Sequence, residues 1–147
     1  MLLAQFNIAT IKYPLDDPRM KEFVDNIDLV HRIAERIGGL VKRLSDDSGT
    51  ALNMRVYNDP RIVPNLTIWK DVASLETFVW KTLHKKFFDK REQWFDVSAK
   101  PKNVMWFCQP DYNPQMSDGV ERLDYMIANG PSDYAFDWKY IKNAINS

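Results

Sequence analysis

The fold is decided by residues 65–95, which read NLTIWKDVASLETFVWKTLHKKFFDKREQWF. The segment has the pattern of a strand that ends at Trp69, a change of direction at Lys70-Asp71, and a long helix rich in aromatic residues. Asp71 is a good N-cap, because its carboxylate can accept hydrogen bonds from free backbone N–H groups of the first turn. We therefore expect any functional site to lie between this strand and this helix.

The predicted helix carries two apolar stripes. One is the core stripe, formed by Leu75, Phe78, Val79 and Thr82. The other follows a neighbouring face and consists of Trp80, His84, Phe87, Arg91 and Trp94. Both stripes cannot pack on one sheet without a bend. The pattern therefore predicts a kink or break between about Lys81 and Lys85.

Two strands have one apolar face and one mixed face. In the first, residues 2–11, the even-numbered side chains form a plain core face, whereas Gln5 and Asn7 lie in the middle of the opposite face. The strand at residues 62–69 repeats this pattern, with Asn65, Thr67 and Trp69 on its mixed face. Pro64 near its start indicates a sheet edge or a bulge. The mixed faces meet either water or a partly polar interior.

The remaining segments complete the order of elements. A helix from Met20 stops at Gly38-Gly39, and strands are predicted at residues 40–44 and 103–109, with a turn at 46–49 and a possible short strand at 51–57. A later helix is predicted to start at a Ser117 cap and to end near Gly130. Its inward residues are predicted to be Val120, Leu123 and Ile127. The tail, residues 131–147, reads as an appendage rather than part of the core.

With the short strand treated as an insertion, the order is β-α-β-β-α-β, which predicts an α+β, ferredoxin-like sandwich. Two helices cover one face of a four-stranded antiparallel sheet. The mixed face is too apolar to be left in water, so we expect a second copy of the chain to cover it, giving a homodimer that forms a dimeric α/β barrel. We assign residues 1–110 to this domain and residues 111–147 to a C-terminal helix and tail packed on it.

Composition limits the classes of function. A chain of 147 residues is the size of one domain. Its net charge of zero argues against a nucleic-acid partner. Cys108, the one cysteine, is expected to be an inert core thiol and gives no sign of an oxidising compartment. No targeting segment or membrane-spanning apolar run is present in the sequence, so we expect a cytoplasmic protein with no membrane partner.

Three stretches resemble an uncharacterised family, the domain-of-unknown-function family 3291. They are LAQFNIATIKYPLDDPRMKEFVDNIDLVHRIAERIGGLVKRL, NLTIWKDVASLETFVW and HKKFFDKREQWF. The resemblance covers most of residues 1–130, and residues 3–18 are its most specific part. The family is related to the antibiotic-biosynthesis monooxygenase-like proteins of the dimeric α/β-barrel superfamily. The resemblance implies the same ferredoxin-like dimer, and little about activity, because that superfamily includes oxygenases, isomerases and members without known catalysis.

The same resemblance suggests catalytic residues. Haem-degrading monooxygenases of the superfamily use an Asn on the first strand and a Trp and a His on the second long helix, which Asn7, Trp80 and His84 match in element and order. An imidazole can ligate iron, an amide can bind an iron-bound oxygen species, and an indole can form a pocket wall. The spacing from Trp80 to His84 is shorter than in those enzymes, which counts against haem.

A cofactor-independent oxygenase is the second enzymatic hypothesis, with His84 as the base and an electron-rich aromatic substrate. In either case we expect a small hydrophobic or aromatic ligand between the sheet and the second helix. The alternative is a non-catalytic ligand-binding dimer, in which His84 meets backbone or water and the aromatic line packs the dimer. No cofactor is the favoured expectation, haem is the lesser one, and no metal site is predicted. The residues expected to bind the ligand are Gln5, Asn65, Trp69 and Phe87.

Overall fold

The computed structural model describes residues 1–44, 57–97 and 100–146. The predicted turn at 46–49 and nearly all of the predicted short strand at 51–57 lie outside the described residues. The described part is an α+β fold. Its elements are β1 (Leu2–Thr10), α1 (Lys21–Arg36), β2 (Leu40–Arg43), β3 (Ile62–Trp69), α2 (Val72–Lys81), α3 (Leu83–Asp89), β4 (Asn103–Cys108), α4 (Met116–Asn129) and α5 (Trp138–Asn146), with short 3-10 helices at Pro18–Met20 and Arg91–Gln93.

The strands form one four-stranded sheet in the order β2-β3-β1-β4. Every neighbouring pair is antiparallel. The antiparallel sheet and the mixed α+β class expected from the sequence are therefore confirmed. The central strand is β1, in which Ala4 lies opposite Ile68 of β3 on one side and Trp106 of β4 on the other.

Local signals set the boundaries of α1 and β3. The helix stops at Gly38 and Gly39, whose φ angles of 79° and 92° favour glycine. Gly39 also allows a close approach, because a Cβ there would lie 2.4 Å from the Ser74 side chain of α2. Pro64 lies opposite Ile8 of β1, while β2 pairs only with Thr67–Trp69 among the described residues. Among the described residues, the stretch of β3 around Pro64 therefore has a strand partner on one side, β1, as the missing N–H group of proline favours.

The plain face of the sheet is covered by α4 of the same chain. Phe6 and Trp106 pack there with Leu123 of α4. Gly119 lets the helix approach closely, because a Cβ at this position would lie 2.2 Å from the Phe6 ring. The helix that follows the β-α-β-β-α-β unit therefore supplies the second covering layer.

The mixed face lies beneath α1, α2 and the C-terminal tail. Leu3 and Trp69 are buried in one cluster with Leu75 of α2 and Phe136 of the tail. The expectation that a second copy covers this face is wrong, because Leu3, Trp69 and Ile11 are already buried within one chain. Both faces of the sheet are covered without a partner.

A separate apolar cluster lies at the far end of the mixed face. It joins the buried residues Ile11, Met20 and Trp94 to the partly buried Phe87 of α3. The two long-helix segments are thus divided between two clusters: α2 packs over the Trp69 end of the sheet, and α3 packs over the Ile11 end. The stretch of sheet between these clusters carries the polar side chains.

Three expectations for the C-terminal region are wrong. The cap of α4 is Gln115 rather than Ser117, since Gln115 and Asp118 form a reciprocal capping box, and Met126 faces inward while Ile127 is exposed. The tail is part of the core. Phe136 is buried, and its backbone N–H and C=O groups pair with Met105 at 2.9 and 2.8 Å along the outer edge of β4.

None of the helices in the described ranges is long and apolar enough to cross a membrane.

Candidate functional site

Polar side chains of three neighbouring strands form two rows on the mixed face. In the first row, Gln5 of β1 lies opposite Thr67 of β3. In the second, Asn7 of β1 lies between Asn65 of β3 and Asn103 of β4. Residues directly opposite each other on antiparallel strands project from the same face. We call these five residues the polar rows.

A chain of hydrogen bonds runs along the polar rows. The indole Nε1 of Trp69 donates to Thr67 Oγ1 at 2.8 Å, and this hydroxyl donates to Gln5 Oε1 at 3.0 Å. Gln5 Nε2 in turn donates to Asn103 Oδ1. Gln5 is 9 % exposed and Thr67 7 % exposed, so the chain satisfies groups that water cannot reach. The amide of Gln5 therefore has one fixed orientation.

Two buried atoms of the second row have no hydrogen-bond partner in the structure: Asn7 Oδ1 and Asn103 Nδ2. One is an acceptor and the other a donor, and their residues are direct partners across β1 and β4. Buried polar atoms in proteins are nearly always paired, since an unmet group costs about 1–3 kcal/mol. This pair is the strongest indication of a binding site on the mixed face.

The helix above the sheet is interrupted at Thr82. Its backbone is extended, with φ −121° and ψ −176°, and its hydroxyl donates to the Phe78 carbonyl at 2.6 Å. The same oxygen accepts the His84 backbone N–H at 3.2 Å, which caps α3. The predicted break between Lys81 and Lys85 is confirmed.

His84 occupies the first turn of α3 and is half-buried. Its Nδ1 lies 3.2 Å from the Val79 carbonyl oxygen, and because a carbonyl only accepts, Nδ1 must carry the proton and Nε2 the lone pair. Burial lowers the pKa of His84 below its ordinary value, partly opposed by the bond to Val79. The ring is therefore neutral at neutral pH and retains one basic nitrogen.

Phe78 connects His84 to the polar rows. Its ring stacks on Trp69 with centroids 5.2 Å apart and lies 4.8 Å from the His84 ring. Trp69 then leads to Thr67 and Gln5 through its indole N–H. The structure thus places His84, Trp69, Gln5, Asn7 and Asn65 in one continuous neighbourhood.

Trp80 and Phe87 lie elsewhere. Trp80 contacts Phe88 and the tail residue Trp138 at centroid distances of 5.3 and 6.2 Å, and its buried Nε1 has no hydrogen-bond partner among the described residues. Phe87 lies 6.0 Å from Trp94 in the cluster at the Ile11 end of the sheet. The predicted stripe from Trp80 through His84 to Phe87 is therefore not continuous. It would require one unbroken helix, whereas α2 and α3 are separated at Thr82.

Sequence reasoning missed Thr67, Phe78 and Asn103 as site residues. Thr67 has a visible signal, since it alternates with Asn65 and Trp69 on one strand face. Phe78 reads as an ordinary core residue. Asn103 has no signal of its own, because its position beside Asn7 follows only from the register of β4 on β1.

Two surface clefts within the described ranges do not involve the polar rows or His84. One, of about 330 Å³, is lined by Asp28, His31, Arg32, Glu35 and Arg43. The other, of about 380 Å³, lies between the Gly38-Gly39 turn and the start of α2. His31 belongs to the first cleft, where burial and the Arg43 charge lower its pKa. It takes no part in the site around His84.

The residues present do not fit a haem. His84 is packed against Phe78, whereas Trp80 is turned toward Phe88 and Trp138, so the two residues expected to hold and enclose the macrocycle do not line one common pocket. In the parts of the chain that the structure describes, no group of three or more metal-ligating side chains comes together. Cys108 is a buried free thiol whose pKa is raised by that burial.

Comparison with solved structures finds a similar fold in a conserved protein from Methanosarcina mazei Go1. The TM-score is 0.55 at 14% sequence identity, and the similarity covers 74% of this chain and 94% of that one. At this identity the likeness concerns the fold alone. No curated protein matches the chain.

The family model for the domain of unknown function DUF3291 matches residues 2–146. The match begins at the first residue of β1 and extends through α5, so it includes the polar rows, the break at Thr82 and the tail. The chain therefore belongs to the DUF3291 family.

Proposed function

We propose that this protein binds a small aromatic molecule bearing a polar group, between the polar rows of the sheet and the α2–α3 segment. The observation that carries the proposal is the buried, unpartnered pair Asn7 Oδ1 and Asn103 Nδ2. A polar ligand group that met either atom would remove the desolvation cost of that atom. Phe78 and Trp69, stacked beside the rows, offer aromatic surfaces to the body of the ligand.

We infer that α3 moves when the ligand binds, since the site residues line neither of the two clefts described above. The attachments of α3 favour such movement: it has only seven residues, none of them buried, and Thr82 joins it to α2 in an extended conformation. Elements with little buried apolar area open at low free-energy cost. We propose that α3 swings away from the sheet to admit the ligand.

Calorimetric titration with 1-naphthol tests this proposal. We expect Asn7→Ala to weaken binding about tenfold, the loss that one buried hydrogen bond accounts for. The control is Asn58→Ala, an exposed residue in the loop before β3, which should bind as the parent does. Equal affinity in both variants would place the ligand elsewhere.

Cofactor-independent monooxygenation is the catalytic form of the proposal. The favouring observation is the tautomer of His84, whose Nδ1–H is held by the Val79 carbonyl and whose lowered pKa keeps Nε2 free to accept a proton. In such a reaction the ring takes a proton from a phenol or quinol. One oxygen atom then enters the substrate and the other leaves as water, with the electrons supplied by the substrate.

Oxygen uptake separates the enzyme from the binding protein. If His84 is the base, a phenol or quinol that supports uptake should lose most of its rate in His84→Asn, while His31→Asn should keep it. His31 is a fair control because burial lowers the pKa of both rings. Binding of 1-naphthol without oxygen uptake from any phenol or quinol in a panel would leave the non-catalytic form.

For the architecture, we propose a ferredoxin-like sandwich related to the antibiotic-biosynthesis monooxygenase-like superfamily. The strand order β2-β3-β1-β4 and the position of α1 and α2 on one face support it. The homodimer stays a prediction. Its original reason does not hold, since α1, α2 and the tail of the same chain cover the mixed face and α4 covers the plain face, so a dimer would use another surface. Sedimentation velocity at micromolar concentration tests it.

A further inference from the structure

We propose that Asn103 sets the specificity of this site and that its Nδ2 amide selects a carbonyl group, so that the ligand is a neutral aromatic carbonyl compound. This inference rests on the proposed binding function and deepens it. It follows from the direction of the hydrogen-bond chain that ends at Asn103.

In the structure the chain runs in one direction, from Trp69 through Thr67 to Gln5. An indole N–H can only donate, so Thr67 must accept from Trp69 and has one proton left to give. That proton goes to Gln5 Oε1, which forces the other end of the Gln5 amide, Nε2, to be the donor toward Asn103. Asn103 must then present its oxygen to Gln5.

The consequence is a donor of imposed polarity at the end of the chain. With Asn103 Oδ1 committed to Gln5, the Nδ2 group is left buried and unpartnered. Exchanging the positions of Oδ1 and Nδ2 of Asn103 would place the Asn103 Nδ2 donor against the Gln5 Nε2 donor. Among the described residues Asn7 Oδ1 has no hydrogen-bond partner, so no such chain fixes the orientation of the Asn7 amide. Asn103, rather than Asn7, therefore decides which group the ligand must offer.

The surroundings favour a neutral ligand. The polar rows contain amides and one hydroxyl, and no charged residue of β1, β3 or β4 lies in register with them. Arg43 of β2 lies opposite Thr67, but its guanidinium is 3.7 Å from the Glu35 carboxylate of α1. A carboxylate ligand would bring a negative charge that no cation of the polar rows balances. A ketone oxygen needs only the donor that Asn103 supplies.

Two bicyclic aromatic probes of similar size test the polarity directly. 1-Indanone carries a carbonyl acceptor and no donor, whereas indole carries an N–H donor and no carbonyl. We expect the parent chain to bind 1-indanone about tenfold more tightly than indole, the value of one buried hydrogen bond. Affinities come from NMR titration, with the Asn103 side-chain amide signal reporting on contact.

Asn103→Asp is the matched variant. Its carboxylate keeps an acceptor for Gln5 Nε2 but replaces the terminal donor with an acceptor, so the preference should invert toward indole. Asn103→Ala is the second variant and should abolish the preference; it keeps the test decisive if the aspartate variant does not fold. An unchanged preference for 1-indanone in the folded variants would overturn the inference, as would equal binding of both probes by the parent chain.

The outcomes also separate this inference from the proposed function. If 1-naphthol binds at the polar rows and 1-indanone does not, or shows no advantage over indole, the assignment to Asn103 fails and the binding function stands. If none of the three compounds binds, both fail.

Discussion

At the scale of the residue, Thr67 holds the buried polar chain together. Its hydroxyl is the only link between Trp69 Nε1 and Gln5 Oε1 in the described structure, and its removal leaves both atoms buried without a partner. Valine has nearly the same shape as threonine, so packing is preserved. This one hydroxyl group therefore contributes to the stability of the sheet by satisfying two buried polar atoms.

We predict that Thr67→Val lowers the free energy of unfolding by about 1–3 kcal/mol. Urea denaturation measures the change. Thr77→Val, on the exposed side of α2, makes the same chemical change at the surface and should cost about 0.5 kcal/mol or less. Equal effects in the two variants would contradict the hydrogen-bond chain.

His84 couples stability to pH. Because its pKa is lowered in the folded chain, the unfolded chain binds the proton first as the pH falls. Its contribution is complete above the ordinary imidazole pKa of about 6.5 and is lost as the pH falls from there toward the lower folded value. The contribution of His31 has the same sign, since its pKa is also lowered.

We predict that His84→Asn reduces the loss of unfolding free energy between about pH 7.5 and pH 5.5, a range that spans the ordinary imidazole pKa. The measurement is urea denaturation at both pH values, and His31→Asn gives the share of the other histidine. A pH dependence identical to that of the parent would mean that His84 titrates alike in both states, against the burial seen here.

The site residues differ in how far the sequence predicts them. The period-two alternation of β1 and β3 correctly puts Gln5, Asn7, Asn65 and Trp69 on one face. Asn103 could not be predicted as a site residue, since the sequence of β4 does not show which of its residues lies opposite Asn7. Its role depends on register, which is a property of two strands together.

At the scale of the element, α4 fixes what covers the plain face of the sheet. Its contact depends on Gly119, because any larger residue would meet the fully buried ring of Phe6. That ring is enclosed by the sheet and α4 and has little room to yield. Adding one methyl group at Gly119 therefore tests the position of α4.

Gly119→Ala should destabilise the chain by about 1–3 kcal/mol, although alanine is the better helix former. Thermal or urea unfolding measures the change. Ser117→Ala, on the exposed side of the same helix, should be near neutral. A stabilised Gly119→Ala variant would show that α4 does not lie against Phe6.

The sequence predicts the break in the second helix better than it predicts α4. Two apolar stripes that cannot face one sheet require an interruption, and the structure has it at Thr82. For α4, helical periodicity gives the element but neither its Gln115 cap nor the inward face through Met126. Glutamine is not a favoured cap by itself; it caps here because Asp118 returns a second hydrogen bond.

At the scale of the whole molecule, the tail closes the fold. Phe136 is 1 % exposed, extends the sheet beside Met105 and packs with Leu3 and Trp69 on the mixed face. Trp138 then contacts Trp80 of α2. The order of strands and helices predicts the antiparallel sheet. It sets no constraint on the segments that follow the last strand, so the packing of the tail on the mixed face could not be predicted from it.

We predict that Phe136→Ala costs about 3–5 kcal/mol of unfolding free energy, as expected for a large aromatic side chain in a core. Lys139→Ala, exposed on α5, should leave stability nearly unchanged. Chemical denaturation of the two variants gives the comparison. A small loss of unfolding free energy for Phe136→Ala would mean that the tail is not part of the core.

The central claim is that the ligand site lies on the mixed face of the sheet rather than on the α4 side. The five tryptophan indole N–H signals in a ¹⁵N-correlated NMR spectrum test it most directly, because Trp69 lies on the mixed face and Trp106 lies beneath α4. On titration with 1-naphthol, we predict that the Trp69 signal shifts with saturation and the Trp106 signal stays in place. A shift confined to Trp106, or no shift of any indole signal at saturating 1-naphthol, would contradict the account.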